Sequence, residues 1–321
     1  MLAVLVWRLP DVKWGDLSPN WTTASGWWLA AATLTMGAAF SLSALRWQRV
    51  LSAMGPTPSY RRMLSMFLAG QFVSNVLPTA FGGDVIRVTR LGREIGDHPR
   101  AFASVTIERM TGWLVLPVIS VTALIVQPRL RSIGAASDLA WAIAAGTVTA
   151  LVVVLLVASN RRFAANPDEV TGWRRFLVAI HLGVDALRRD PTATVEVISA
   201  GGAFQVLQCG AVWMAAQAIG VTEVTLGVSL AFFPAVAIAQ NLPVGIGGLG
   251  IRESLFVLFF GAVNAPEALS ITLGLVVYGL TIATSALGAP AFVLGARHRP
   301  GQASPSQNPH TEDVTPKPPE S

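Results

Sequence analysis

The sequence predicts an all-α polytopic membrane protein of about six to eight transmembrane or re-entrant helices. Three observations lead there. Of 321 residues, 52% are hydrophobic and 13% charged, with a mean hydropathy of +0.55; a soluble domain carries roughly a quarter charged residues. The apolar residues come in runs long enough to cross a bilayer. The arginines sit in the short stretches between those runs, where orientation determinants belong. The same facts exclude a soluble domain, a disordered chain and a disulfide scaffold, the single Cys209 lying inside an apolar run. A net charge of +5 is not gathered on one soluble face, so no nucleic-acid partner is expected. His98, His181, His298 and His310 are scattered, and no metal or other cofactor is expected.

Along the chain, the opening MLAVLVW lacks a basic n-region and is compatible with the stub of a first helix. An uncharged span covers 23–45 and ends at Arg46 and Arg49. The stretch 63–81 is interrupted at Pro78 and at Gly82-Gly83. Spans follow over 104–127, 139–158 and 195–219. A second interrupted stretch, 225–246, breaks at Pro234, Pro243 and Gly245 to Gly250, followed by a short piece, 254–264, and a final run, 268–296. Segment 173–190 is amphipathic: Trp173, Phe176, Leu177, Ile180, Val184 and Leu187 share one helical face, which suits either a membrane interface or packing on neighbouring helices. Residues 1–296 thus read as one integral membrane domain and 297–321 as a disordered cytoplasmic tail.

Placing the arginine-rich loops in the cytoplasm makes both flanks of the first broken stretch cytoplasmic, so it enters and leaves on one side. Only one net crossing fits between 220 and 297, which makes the second broken stretch a similar pair entering from the opposite side. The two breaks read PTAFGGDVIR (78–87) and PVGIGGLGIR (243–252) and agree at five positions. Paired interrupted segments in corresponding halves mark the binding site of inverted-repeat transporters. Chance matches and ordinary helix ends are the alternative.

Helix breaks leave backbone groups that hydrocarbon cannot satisfy, so they persist only against protein or a polar cavity. Half-helix N-termini there favour anions, and the glycines of both clusters (82, 83, 245, 247, 248 and 250) allow a headgroup to approach, unless they serve close packing alone. Three acid–arginine sets flank the breaks: Asp84 with Arg87, Glu108 with Arg109, and Arg252 with Glu253. Ionisable groups in a membrane segment are functional by default, and Arg suits phosphate; snorkelling or a structural ion pair is the alternative for each.

The stretches RWQRVL (46–51), SNVLPTAFGGDVIR (74–87), IERMTG (107–112) and NLPVGIGGLGIRES (241–254) resemble the lysylphosphatidylglycerol synthase transmembrane family, also called flippase-like domain proteins. The resemblance spans about residues 23–296. It implicates Asn75, Pro78, Gly83, Asp84 and Arg87, then Glu108 and Arg109, then Pro243, Gly247, Gly248 and Glu253; with Gly82, Asn241 and Arg252 from the same breaks these are the candidate substrate-binding residues. Best-understood members move aminoacylated phosphatidylglycerol between leaflets, while a separate soluble domain synthesises it. The sequence given ends in a short tail, so no synthesis is implied. The expected function is flippase-like translocation of a phospholipid or lipid-linked anionic headgroup across the plasma membrane by a multi-pass protein. Expected partners are the lipid substrate, the membrane, and either a second copy or a separate synthase. A membrane enzyme using Asp84 or Glu108 as base, and an accessory subunit, are the alternatives; no G-x-S-x-G, H-E-x-x-H or P-loop is present.

Overall fold

The computed structural model describes residues 19, 21–76, 82–159, 173–241 and 250–290. Among these are ten α-helices and no strand: α1 (Thr23–Ala53), α2 (Tyr60–Val76), α3 (Gly82–Ile95), α4 (His98–Val126), α5 (Gly134–Ala158), α6 (Trp173–Arg189), α7 (Pro191–Ala218), α8 (Leu226–Ala239), α9 (Ile251–Gly261) and α10 (Glu267–Ala286). Helices α1, α4, α5, α7 and α10 are long and apolar enough to cross a membrane, and the chain is an all-α polytopic membrane protein. The two interrupted stretches become two pairs of shorter helices, α2 with α3 and α8 with α9. Pro78, Pro243, Gly247 and Gly248, the opening stub and the tail lie outside the described residues.

The starts of the helices follow local chemistry. Thr22 and Ser25 exchange bonds in a capping box at α1. Asp97 accepts from the Arg100 amide at 2.9 Å to cap α4, and Asp190 from the Ala193 amide at 2.9 Å to cap α7. Both of those helices carry proline in the first turn, where its missing N–H is no loss. At α9 the cap is Gly250, whose φ of +88° favours glycine, and the Glu253 carboxylate reaches back to accept its N–H at 2.6 Å.

The helices repeat. An offset of 165 residues, the separation of Arg87 and Arg252, lays α1 on α7, α2 on α8, α3 on α9 and α4 on α10, with each start agreeing to within four residues. The packing repeats with it: α1 against α2 matches α7 against α8, α2 against α10 matches α8 against α4, and α1 against α10 matches α7 against α4. The largest interface joins the two halves through α1 and α7, which run antiparallel. Trp28 meets Trp213 edge-on at 5.5 Å near one end, and Arg49 pairs with Glu196 at 3.1 Å near the other. Antiparallel equivalents are what an inverted repeat requires. Helices α5 and α6 lie between the two halves in sequence.

Close backbone approach holds the first pair together. A Cβ on Gly83 would overlap the Ser74 hydroxyl and the Gly70 carbonyl, so its missing side chain serves the α2–α3 crossing. That is the packing role weighed above against headgroup approach. The Arg62–Glu94 pair, at 3.0 Å, joins the same two helices.

Two sequence expectations are corrected, and of two readings left open for a third segment the packing on protein is observed. The first span does not stop at Arg46 and Arg49: α1 continues to Ala53, and Arg46 is 3% exposed inside the bundle. Helix α4 starts at His98, not near 104, so Glu108 and Arg109 sit about three turns from its N-terminus instead of one. Segment 173–189 packs on protein through Leu177 and Ile180 against Val50, Ile107 and Val197, with Gly183 admitting the Ile107 side chain. Its Phe176, at the edge of the apolar face, is 41% exposed and not covered by that packing.

Candidate functional site

One polar cavity of about 270 Å³ occupies the centre of the bundle, lined by residues of α1, α2, α3, α4, α7, α8, α9 and α10. Both halves contribute to its wall. Seven pairs of lining residues are 165 apart: Phe40 and Gln205, Ser43 and Gln208, Asn75 and Gln240, Arg87 and Arg252, Gly112 and Val277, Trp113 and Tyr278, Leu116 and Thr281. Equivalent positions of both repeats therefore face one space.

The charges break that symmetry. Arg46, Glu108 and Arg109 line the cavity, but their counterparts in the second half are Ala211, Leu273 and Gly274. On this side Glu108, 3% exposed, is held between two guanidinium groups. Arg46 Nη2 donates to its Oε1, which also accepts from Ser43 Oγ at 3.1 Å. Both terminal nitrogens of Arg87 donate to its Oε2 at 3.2 Å. Asp84 pairs with Arg109 and lies 3.6 Å from Arg87 Nη1, so its carboxylate bridges α3 and α4. The expected i,i+3 contact of Asp84 and Arg87 is present, whereas Glu108 and Arg109, adjacent in sequence, each find their partner on another helix.

Aromatic faces complete the arginine settings. The Arg87 guanidinium lies 4.1 Å from the Trp47 ring centroid and 5.0 Å from that of Phe67, and Arg46 lies 5.3 Å from Phe204. Trp47 is fixed by donating to Ser104 Oγ at 3.1 Å.

On the opposite wall Arg252 donates to Glu253 Oε1 from Nε at 3.1 Å and Nη2 at 2.6 Å, and lies 5.0 Å from the Tyr278 ring. Gly274 makes room for that carboxylate, since a Cβ there would stand 3.0 Å from Glu253 Cγ. Asn75 bridges the halves: its amide donates to Ser285 Oγ at 3.2 Å, and its carbonyl accepts from Tyr278 at 3.0 Å. Asn241 lines the cavity while its amide donates to Ala237 O at 2.6 Å. Gly82 opens α3 and does not reach the lining.

Burying these groups has a direct consequence. Among the described residues, Arg46, Arg87, Arg109 and Arg252 line the cavity with Glu108 alone among the carboxylates, while Asp84 and Glu253 stand behind the arginines. Counting all seven groups, four cations meet three anions and leave one net positive charge. A partly neutralised arginine cluster of this kind attracts an oxyanion. Sequence reasoning assembled most of these residues and missed Arg46, along with the amide-bearing lining residues Gln71, Gln205, Gln208 and Gln240. The only signal for Arg46 was its place in the stretch RWQRVL.

The lysylphosphatidylglycerol synthase TM-region family model matches residues 1–288. No curated protein matches the chain.

Proposed function

Since the chain belongs to the lysylphosphatidylglycerol synthase TM-region family, we propose that it carries a lipid with a small anionic headgroup from one leaflet to the other. The observation that supports this most is the shared cavity: equivalent residues of two antiparallel halves line one polar space whose wall holds four arginines and one carboxylate. Inverted halves around a central site are the architecture by which alternating access works. Arg87 and Arg252, the equivalent pair, would meet the phosphate from the two sides, and Asp84, Glu108 and Glu253 would balance the arginines when the site is empty. The volume of about 270 Å³ lies at the lower end of ligand pockets and suits a phosphate with a short polar substituent. The arginine-rich loops support a cytoplasmic tail, and the membrane in this reading is the plasma membrane.

The test is reconstitution into proteoliposomes with leaflet-resolved fluorescent phosphatidylglycerol. The parent should move the probe without changing its mass. Arg87→Gln and Arg252→Gln should each abolish movement while the protein still elutes as a folded species. A new lipid species would instead favour an enzyme, and unchanged movement in both variants would remove the arginines from the site.

A further inference from the structure

We infer that the anion is anchored at Arg46, a position outside the two helix breaks, and that Arg46 gives the chamber its polarity. This rests on the transport reading for the source of the anion but not for the site itself. Arg46 is 3% exposed and lines the cavity. Its Nη2 is engaged by Glu108 and, at 3.4 Å, by Ser43 Oγ. Its Nε and Nη1 have no partner among the described residues, although both are buried. Arg87 differs: both terminal nitrogens are committed to Glu108 and only Nε is left over. Arg252 has Nε and Nη2 committed to Glu253.

The surroundings of Arg46 hold the guanidinium without satisfying it. Phe204 lies at one side, and Gly112 and Gly201 press on Nη1 so closely that a Cβ would stand 3.1 and 3.3 Å away. Neither glycine brings a side-chain acceptor. A structural counter-ion for Glu108 needs one donating nitrogen; the N–H groups on the other two are costly in a low-dielectric interior unless an acceptor reaches them. The oxygens of a phosphate monoester or diester supply such acceptors, and Arg is the side chain suited to them. Arg46 has no equivalent in the second half, where Ala211 occupies its place. The chamber therefore has a charged wall and a weaker wall, and the anion should sit against the charged one.

The chemistry is that of a phosphate oxyanion, from either a lipid headgroup or a soluble phosphate, and the experiment separates the two. The full-length protein is placed in phosphatidylcholine nanodiscs, and binding of dihexanoyl phosphatidylglycerol, sn-glycerol 3-phosphate and inorganic phosphate is measured by calorimetry. Arg46→Lys keeps the charge beside Glu108 but replaces the planar fork, whose Nε and Nη1 are spare, with one compact ammonium held at Glu108, and should weaken binding by about tenfold or more. Gly201→Ala changes no charge, crowds Nη1, and should weaken binding in the same direction, which keeps the test valid if the lysine variant misfolds. Arg49→Lys, on the exposed side of α1, should bind as the parent does. Loss confined to the lipid probe assigns a lipid headgroup; loss for all three probes assigns a general phosphate site; both support the anchor. Parent-like binding in both Arg46→Lys and Gly201→Ala overturns it. Transport measured in parallel separates the two claims. Arg46-dependent binding in a parent that moves no lipid removes the transport reading and leaves the anchor. Parent-like binding in both variants together with normal transport removes the anchor and leaves the transport reading.

Discussion

Glu108 is the residue on which the charged wall depends. Three groups donate to its two oxygens, and each of the two arginines involved is itself buried. Removing one partner of a buried ion pair costs about 3–5 kcal/mol, because the survivor keeps its desolvation penalty. Glu108→Gln should therefore lower thermal stability in detergent by an amount of that order. Adding Arg46→Gln to it should cost less than the sum of the two single changes, with a coupling of about 0.5–3 kcal/mol. Strict additivity would mean that the two groups do not interact. The sequence exposed one half of this arrangement. An intramembrane Glu-Arg pair is visible in IERMTG, but the partners of Glu108 lie 62 and 21 residues away, and no local spacing reports them. Arg46 was hidden for a different reason: an arginine closing an uncharged run reads as a snorkelling interface residue, and nothing local shows that the helix continues to Ala53.

At the scale of elements, the helix pair α2–α3 is held by small residues. Gly70 and Gly83 bring the two backbones together, the packing that membrane helices use where no hydrophobic driving force separates them from lipid. A methyl on Gly83 has nowhere to go, so Gly83→Ala should destabilise the protein by about 1–3 kcal/mol in a thermal-unfolding assay. Gly26, which faces open space, is the control: Gly26→Ala should leave stability unchanged or raise it by up to about 1 kcal/mol. Equal effects would mean that the crossing is not tight. The existence and order of the elements were legible, because apolar runs of bilayer length and clusters of Gly and Pro are composition-level signals. Their ends were less so. Caps set them, as Asp97 does by starting α4 well before the apolar run begins, and a hydropathy reading does not weigh a cap. The amphipathic segment shows the same limit, since periodicity identifies an apolar face without saying what covers it; here the cover is α1, α4, α5 and α7.

At the scale of the whole molecule, eight of the ten described helices form two four-helix halves related by an offset of 165 residues, with α5 and α6 between them in sequence, and an asymmetric charge cluster is set into that symmetric frame. Five matching positions in the two glycine-rich breaks hinted at the relation. The cavity makes it structural, because seven pairs of equivalent residues face the same space. The antiparallel course of α1 and α7 then requires that the loops following them lie on opposite sides of the membrane. Single cysteines at Ser59, after α1, and Thr222, after α7, both exposed, test this directly in a Cys209→Ala background labelled with a membrane-impermeant maleimide. In intact cells one position should label and the other should not, and permeabilisation should bring the second up to the level of the first. Labelling of both positions from the same side would contradict the inverted repeat and, with it, a chamber that opens alternately to the two leaflets.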